Sequence, residues 1–593
     1  MKLGRAERSP IPHEPSPPAS FSHSLRSRRT NATISAPQSI DKRTVTMRLL
    51  IVAFLSSAPM ALLASDCNGL DTCSACVQHN ALTLAATKCW YCPLDDEGNR
   101  CHDIGAVLTS NCYGVISNSD CIAAPTTSST CPMKSPDFCP EAVPQIRVTK
   151  GMMSRPYGSV RVSLISPTET LDKVSGFDYN KQFEWKWQQL ALSSSLLQVP
   201  ASQLASGAPL AVPFTWMHGS ANATLSLPKQ GEGTVGLMIA DPCVGIGLGA
   251  TPGYCAAASR FHTADRIPEM TNAMLADGSI QYWATLGDNW YDPKGDISQT
   301  VYSRYSQKVL EAINVVIPGN HDYWSFGPTL WPSPFGEQCG NGFMQFNAMD
   351  TMAAKGVSNG SAAAPFDFSV DPATGITKGA DCAAKHTNMN FYQQIGNVAI
   401  IGYTGAASYD ELAPFFGEAC AAVGAEPSVQ AVFLVSHWDD ASGVTGGHAD
   451  STTPEAFSRV MRLDGCKEFH AKSMFKWVTG HTHCNTIAPY LAKYGDEVAS
   501  AGFRVSGMGM AASEDTCRVA ANGTHDPSHA AEPNFGFPIF DSTNGRLRIL
   551  YFDTNDDAKY AAALACVQQN GWHGCEDEPY VSTWLDMSIA ERD

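Results

Sequence analysis

Short apolar runs recur through the second half of the chain: Val235–Ala240, Tyr282–Leu286, Ile313–Ile317, Val398–Gly402, Ala431–Val435, Phe475–Thr479, Phe503–Ser506 and Leu547–Tyr551. Each is too short for a helix and has the length of a strand buried on both faces. Ser298–Ala312 has helical spacing instead, with Val301, Tyr305, Val309 and Ala312 on one face. Strands alternating with helices predict an α/β domain over residues 234–555. Long insertions, above all Phe335–His386, are expected to form lids or substrate walls. Upstream the period changes to two. Ser159–Ile165, Phe183–Trp187 and Ala223–Leu227 alternate, and residues 144–233 are expected to form a β-sandwich-like domain without catalytic residues.

The N-terminal part carries other signals. Met47-Arg48, the apolar stretch Leu49–Leu63 and Ala64-Ser65 make a secretory signal peptide over residues 47–65, too short for a membrane span. Residues 1–46 are basic and rich in Ser and Pro, which suits a start-site artefact or a disordered targeting extension. Residues 66–122 hold Cys67, Cys73, Cys76, Cys89, Cys92, Cys101, Cys112 and Cys121. The pairs Cys73/Cys76 and Cys89/Cys92 admit a zinc site, but the signal peptide and the irregular spacing favour a disulfide-rich module. A linker at 123–143 follows. Beyond the α/β domain, a tail at 556–593 carries Cys566 and Cys575, expected to form a local disulfide.

Composition narrows the function. Among 593 residues, 44% hydrophobic and 16% charged content describes a globular protein of several domains. A formal net charge of -17 argues against a nucleic-acid scaffold or an anionic-membrane binder, whose footprint is basic. Twenty cysteines, with sequons at Asn222, Asn359 and Asn522, suit a secreted or lumenal glycoprotein.

The chemistry sits at the strand ends. Asp241 follows the first run, Gly287-Asp288-Asn289-Trp290-Tyr291 the second, and Gly319-Asn320-His321-Asp322 the third. His437 and Gly480-His481-Thr482-His483 close later runs. Ligands collect at the carboxyl ends of strands in open α/β sheets. Carboxylate, amide and imidazole donors together suit Zn, Fe or Mn, and one carboxylate shared by two metals supports in-line displacement at phosphorus. Any one of these residues alone would be an ordinary cap or loop residue. The ordered set is the signal.

These motifs, in this order, resemble the calcineurin-like metallophosphoesterase superfamily across Val235–Phe552. Gly287-Asp288-x-x-Tyr291 looks like its purple acid phosphatase branch. The resemblance implies a metallophosphoesterase-type β-sandwich flanked by helices, preceded by the small disulfide-rich module and the β-rich domain. It implies two metal ions, Fe(III) with Zn, Mn or Fe(II). Asp241, Asp288, Tyr291 and His483 would hold the first metal, while Asp288, Asn320, His437 and His481 would hold the second. His321 would act as general acid or stabilise the departing oxygen, with Asp322 orienting its ring, and metal-activated hydroxide would attack a phosphomonoester. The cysteine module resembles the plexin–semaphorin–integrin module and is a candidate contact for a protein partner. The placement of residues 144–233 resembles the fibronectin-like domain of large plant purple acid phosphatases.

Two positions depart from the branch. Pro242-Cys243 follows Asp241, with Cys243 open to a thiolate ligand or to a disulfide with Cys255, and Ser436 precedes His437. Two other functions compete with the acid phosphatase. One is a phosphodiesterase of nucleotides or lipid head groups with the same metal core. The other is a degenerate binding protein that works through the cysteine module.

Overall fold

A computed structural model describes residues 90–91, 101–102, most of 144–242, 263–289, most of 301–323, scattered positions in 343–354, and then 389–439, most of 451–506 and 535–589. All of these fall in one compact unit, Ser65–Asp593. The signal peptide, nearly all of the cysteine module, Trp290, Tyr291, Cys243 and most of Phe335–His386 lie outside the described residues.

The strands, in chain order, are β1 (Trp90–Tyr91), β2 (Cys101–His102), β3 (Gln145–Lys150), β4 (Ser159–Pro167), β5 (Tyr179–Trp185), β6 (Gln188–Gln198), β7 (Leu210–Trp216), β8 (Gly219–Leu225), β9 (Val235–Ile239) and β10 (Tyr282–Leu286). They continue with β11 (Ile313–Ile317), β12 (Phe391–Ile395), β13 (Val398–Gly402), β14 (Ala431–Val435), β15 (Phe475–Thr479), β16 (Thr486–Ile487), β17 (Gly502–Arg504), β18 (Gly536–Asp541), β19 (Arg546–Asp553) and β20 (Val581–Ser588). The protein is mixed α/β. One six-stranded sheet runs β11-β10-β9-β18-β19-β20, and a second runs β12-β13-β14-β15-β17-β16.

In the first sheet β9, β10 and β11 are parallel, and in the second β13, β14, β15 and β17 are parallel. The sequences VGLMI, YWATL, INVVI and AVFLV leave no polar face to present to water, so these strands are buried throughout. Rings meet across the sheets: Phe540 of β18 stands edge-on to Phe433 of β14 at 5.4 Å and to Phe503 of β17 at 6.5 Å. The core therefore lies between two sheets whose parallel strands carry the motif loops.

Residues 144–233 form the four-stranded antiparallel sheet β3-β4-β6-β5 and the separate hairpin β7-β8. Strand β3 is buried along its whole length despite Arg147 and Lys150. Arg147 lies 3.6 Å over the Tyr302 ring. Asp350 accepts from the Met152 backbone N–H at 2.9 Å and from Arg155 Nε at 2.8 Å, and pairs with Arg161 at 3.3 Å. These contacts tie the N-terminal strands to the segment that follows β11.

The expected helix over Ser298–Ala312 is interrupted. Residues 301–302 are helical, and a new helix, Gln307–Glu311, starts at an extended Ser306 whose side chain accepts from the Val309 N–H. The Asn272 side chain accepts from the Ser306 N–H and donates to Arg304 O, so tertiary bonds hold the break open. Val301, Tyr305 and Val309 are buried as their spacing implies. Residues 556–593, expected as a tail, contain the helix Asp557–Asn570 and the edge strand β20. The Cys566–Cys575 disulfide is present, with an S–S distance of 2.05 Å.

A second disulfide joins Cys420, in the helix Tyr409–Ala425, to Cys466 across 46 residues of sequence. That helix starts in a capping box between Ser408 and Glu411 and packs Leu412, Phe416, Ala419 and Val423 inward. Gly465, at φ +88°, approaches the Cys420 carbonyl more closely than any Cβ would allow. Among the described residues, no helix is long and apolar enough to cross a membrane.

Closing a loop of this size should contribute about 4 kcal/mol by the chain-entropy relation. Replacing Cys420 and Cys466 together by Ala should lower the urea unfolding free energy by roughly that amount and steepen the slope, because the uncrosslinked unfolded chain exposes more surface. An unchanged denaturation midpoint would mean that the crosslink contributes nothing.

Candidate metal centre

Every motif loop leaves the carboxyl end of a parallel strand. Asp241 comes just after β9, Asp288 after β10, Asn320 after β11, His437 after β14 and His481 after β15. Parallel neighbours bring those ends together within each sheet, and the packing of the sheets brings the two groups together. Asp241, Asp288, His481 and His483 have φ of 50°, 48°, 71° and 57°. Side-chain-bearing residues avoid this left-handed region, at a cost of about 1–3 kcal/mol each. Four such residues in one place mark a site held by its surroundings. Gly319 lets its chain close on the Asp288 backbone, and a Cβ at Gly480 would stand 2.6 Å from Ala240 Cβ and 2.8 Å from Asp241 Oδ2.

His437 is fully buried, and its Nδ1 lies 2.9 Å from Leu286 O, the bond that makes Nδ1 the donor. Nε2 then faces inward, 3.1 Å from Asn320 Oδ1, 3.2 Å from His481 Nδ1, 3.3 Å from Asp288 Oδ2 and 3.9 Å from Asp241 Oδ1. On the other side, His483 Nε2 is 3.5 Å from Asp241 Oδ1. The His481 backbone N–H donates to Asp241 Oδ2 at 2.9 Å, and that of His321 donates to Asp288 Oδ1 at 2.8 Å. One donor atom each from Asp288, His437 and His481 lies within 4.8 Å of the others, the arrangement of a metal site.

Electrostatics agrees with the geometry. Burial disfavours charge on His437, but Asp288 and Asp241 outweigh it and hold its pKa at about 9. Burial would raise the Asp288 pKa, yet the imidazoles of His437 and His321 keep it well below the usual carboxylate range. His483 is pushed down to about 3, chiefly by burial, and burial lowers His321 as well. The centre thus demands a positive charge among its inward-facing atoms. Without a metal, a proton on His437 supplies it.

Asp241, Asp288, Asn320, His437, His481 and His483 are brought together, and His321 borders them with its Nε2 4.0 Å from Asp288 Oδ2. Asp322 does not orient the His321 ring as expected. Its buried carboxylate accepts from the Asn289 backbone N–H at 2.9 Å, Asn289 Nδ2 at 2.8 Å and the Gly319 N–H at 2.7 Å. It therefore ties the loop after β10 to the loop after β11, and its pKa is raised by burial and by nearby Asp288. Tyr291 lies outside the described residues. Asn289 was visible in the sequence only as a motif neighbour. Here its side chain also donates to Ile317 O at 2.9 Å and locks the same two loops. Asn485, likewise unread, exchanges two 2.9 Å hydrogen bonds with the Ser506 backbone and closes the His481–His483 loop.

No known family pattern and no curated protein matches the chain. Solved structures do. A purple acid phosphatase from yellow lupin (Lupinus luteus) seeds aligns at 11% identity and a TM-score of 0.42, over 69% of this chain and 72% of its own. A dimetal phosphatase from Danio rerio aligns at 12% identity and 0.23, over 53% of this chain and 95% of its own. A Vps29 single mutant from Entamoeba histolytica aligns at 11% and 0.21, over 60% and 100%.

A pH dependence of the metal-free protein follows. The folded pKa of His437 is raised from 6.5 to about 9, so its contribution to stability is complete below pH 6.5 and is lost as pH rises through 9. That of His483 is depressed from 6.5 to about 3, so its contribution is complete above pH 6.5 and is lost as pH falls toward 3. Urea melts of chelator-treated protein should show stability declining as pH rises toward 9, and His437→Gln should flatten that decline. A wild-type curve level across the alkaline range would contradict a charged His437.

Proposed function

We propose that this chain is a metal-dependent phosphoester hydrolase, and specifically a secreted dinuclear acid phosphatase acting on phosphomonoesters. The carrying observation is the inward convergence of Asp288, His437 and His481 within 4.8 Å, with Asp241, Asn320 and His483 beside them. Hard oxygens mixed with imidazole nitrogens suit first-row transition metals. Asp241 and His483, with Tyr291, would hold one ion. Asn320, His437 and His481 would hold the other, with Asp288 shared. The pair proposed is Fe(III) with Zn, Mn or Fe(II). When bound, two such ions neutralise the phosphate and make a hydrolytic nucleophile available near neutral pH.

The protein's own groups do the rest. Leu286 O fixes the tautomer of His437, so that Nε2 keeps its lone pair toward the centre. The His321 and His481 backbone N–H groups each hold one oxygen of Asp288 and Asp241, which fixes the direction of the other. His321, with 18% of its side chain exposed, is the residue at the edge from which a proton can reach a departing alkoxide. Burial lowers its pKa and the negative Asp288 opposes the fall, so the protonated acid is favoured on the acid side of the ordinary histidine range.

Purified protein should release the phenol from an aryl phosphate monoester, and a strong chelator should stop it. Asp288→Asn should lower turnover at least ~100-fold and reduce metal content. Full activity in Asp288→Asn would reject the mechanism, and faster cleavage of a phosphodiester than of the monoester would reassign the substrate class. An iron-bearing preparation should absorb visible light through Tyr291, and Tyr291→Phe should remove that band.

A further inference from the structure

The loop that carries His437 is gripped at three consecutive residues by three different elements. Thr479, the last residue of β15, donates its hydroxyl to His437 O at 2.7 Å. Thr453, at the start of the helix Thr453–Val460, donates both its backbone N–H (2.8 Å) and its hydroxyl (2.7 Å) to Trp438 O. Asp439 forms an ion pair with Arg504, the last residue of β17: Nη2 donates to Oδ1 at 3.3 Å, and Nε lies close to Oδ2 without the geometry of a hydrogen bond.

The pair is sealed, with side-chain exposures of 4% for Arg504 and 0% for Asp439. Burying two charges costs several kcal/mol per ion before their attraction is counted, and apolar residues of the same size commonly do as well or better for stability. A charge-assisted hydrogen bond from a guanidinium to a carboxylate offers what an apolar pair cannot, a fixed direction and distance.

The location gives that direction a use. Arg504 stands in register with Thr479 on the neighbouring strand, one residue before the Gly480-His481 turn. Asp439 lies two residues beyond His437. The pair therefore crosses from the loop after β14, over β15, to β17, and joins the backbone that carries His437 to the strand hydrogen-bonded to the one that leads into His481. His437 Nε2 and His481 Nδ1 stand 3.2 Å apart, and their rings are nearly perpendicular at 77°. We infer that Asp439 and Arg504 are positioning residues for the metal centre, setting the spacing of His437 and His481 and hence the retention of the ion those two hold. This rests on the proposal that the chain binds two metals. Neither residue is free to meet substrate, because each is occupied by the other.

The test uses the full chain and Zn²⁺ alone. Wild-type protein is stripped, titrated with Zn²⁺ by calorimetry, and challenged with a chelator. The double variant Asp439→Leu/Arg504→Met should keep or raise the melting temperature of the stripped protein. It should also weaken one of the two zinc events about 10–100-fold and shorten chelator resistance to match. Arg504→Lys, which keeps the charge but not the planar guanidinium, should fold and show an intermediate loss, and it serves if the double variant does not fold. Wild-type zinc affinity in either variant would overturn the inference while leaving the hydrolase reading intact. A wild-type chain that takes up no zinc at all would overturn both.

Discussion

Two buried carboxylates and a set of imidazoles are packed against one another, and opposite charge among them is what offsets the cost of burying the acids. Asp241 and Asp288 are essentially unexposed, and the nitrogens of His437 and His481 face each other at hydrogen-bond distance. A low local dielectric magnifies every term in this arrangement, so the compensating charge must be held tightly by the same atoms that need it. The depressed acid at Asp288 and the elevated base at His437 are two views of that one requirement.

The fold meets it by aligning strand directions. Three parallel strands of one sheet deliver acids and an amide, and two parallel strands of the other deliver imidazoles. The loops are then fastened to one another as well as to the strands. Asp322 and Asn289 join the loops after β10 and β11, Asn485 closes the loop after β15, and the Asp241 carboxylate reaches the His481 backbone across the sheets. The N-terminal strands reach the segment beyond β11 through Asp350, and Arg147 packs against Tyr302.

Much of this was legible in the sequence, for identifiable reasons. The apolar runs at 235, 282, 313, 398, 431 and 475 are buried on both faces, so continuous hydrophobicity and short length were enough to mark them. Strand β12 escaped because Gln393 and Gln394 interrupt its apolar run although both are buried, and β18 because it carries Pro538. Half-exposed β20 has no clean period. Ligands placed at strand ends were readable because sheet topology fixes them. The partner of Asp322 was not, because it depends on how two loops meet. Nor was the Cys420–Cys466 link, since the number of possible pairings grows steeply with the number of cysteines.

The left-handed backbone at Asp241, Asp288, His481 and His483 carries an evolutionary consequence. Glycine would sit in those dihedrals with less strain than the residues now there. A lineage released from selection for catalysis therefore has a downhill route: the substitutions that erase donors also relax the chain. Decay of activity would then proceed through descendants more robust than their ancestor, and such a descendant would keep the architecture long after its chemistry had gone.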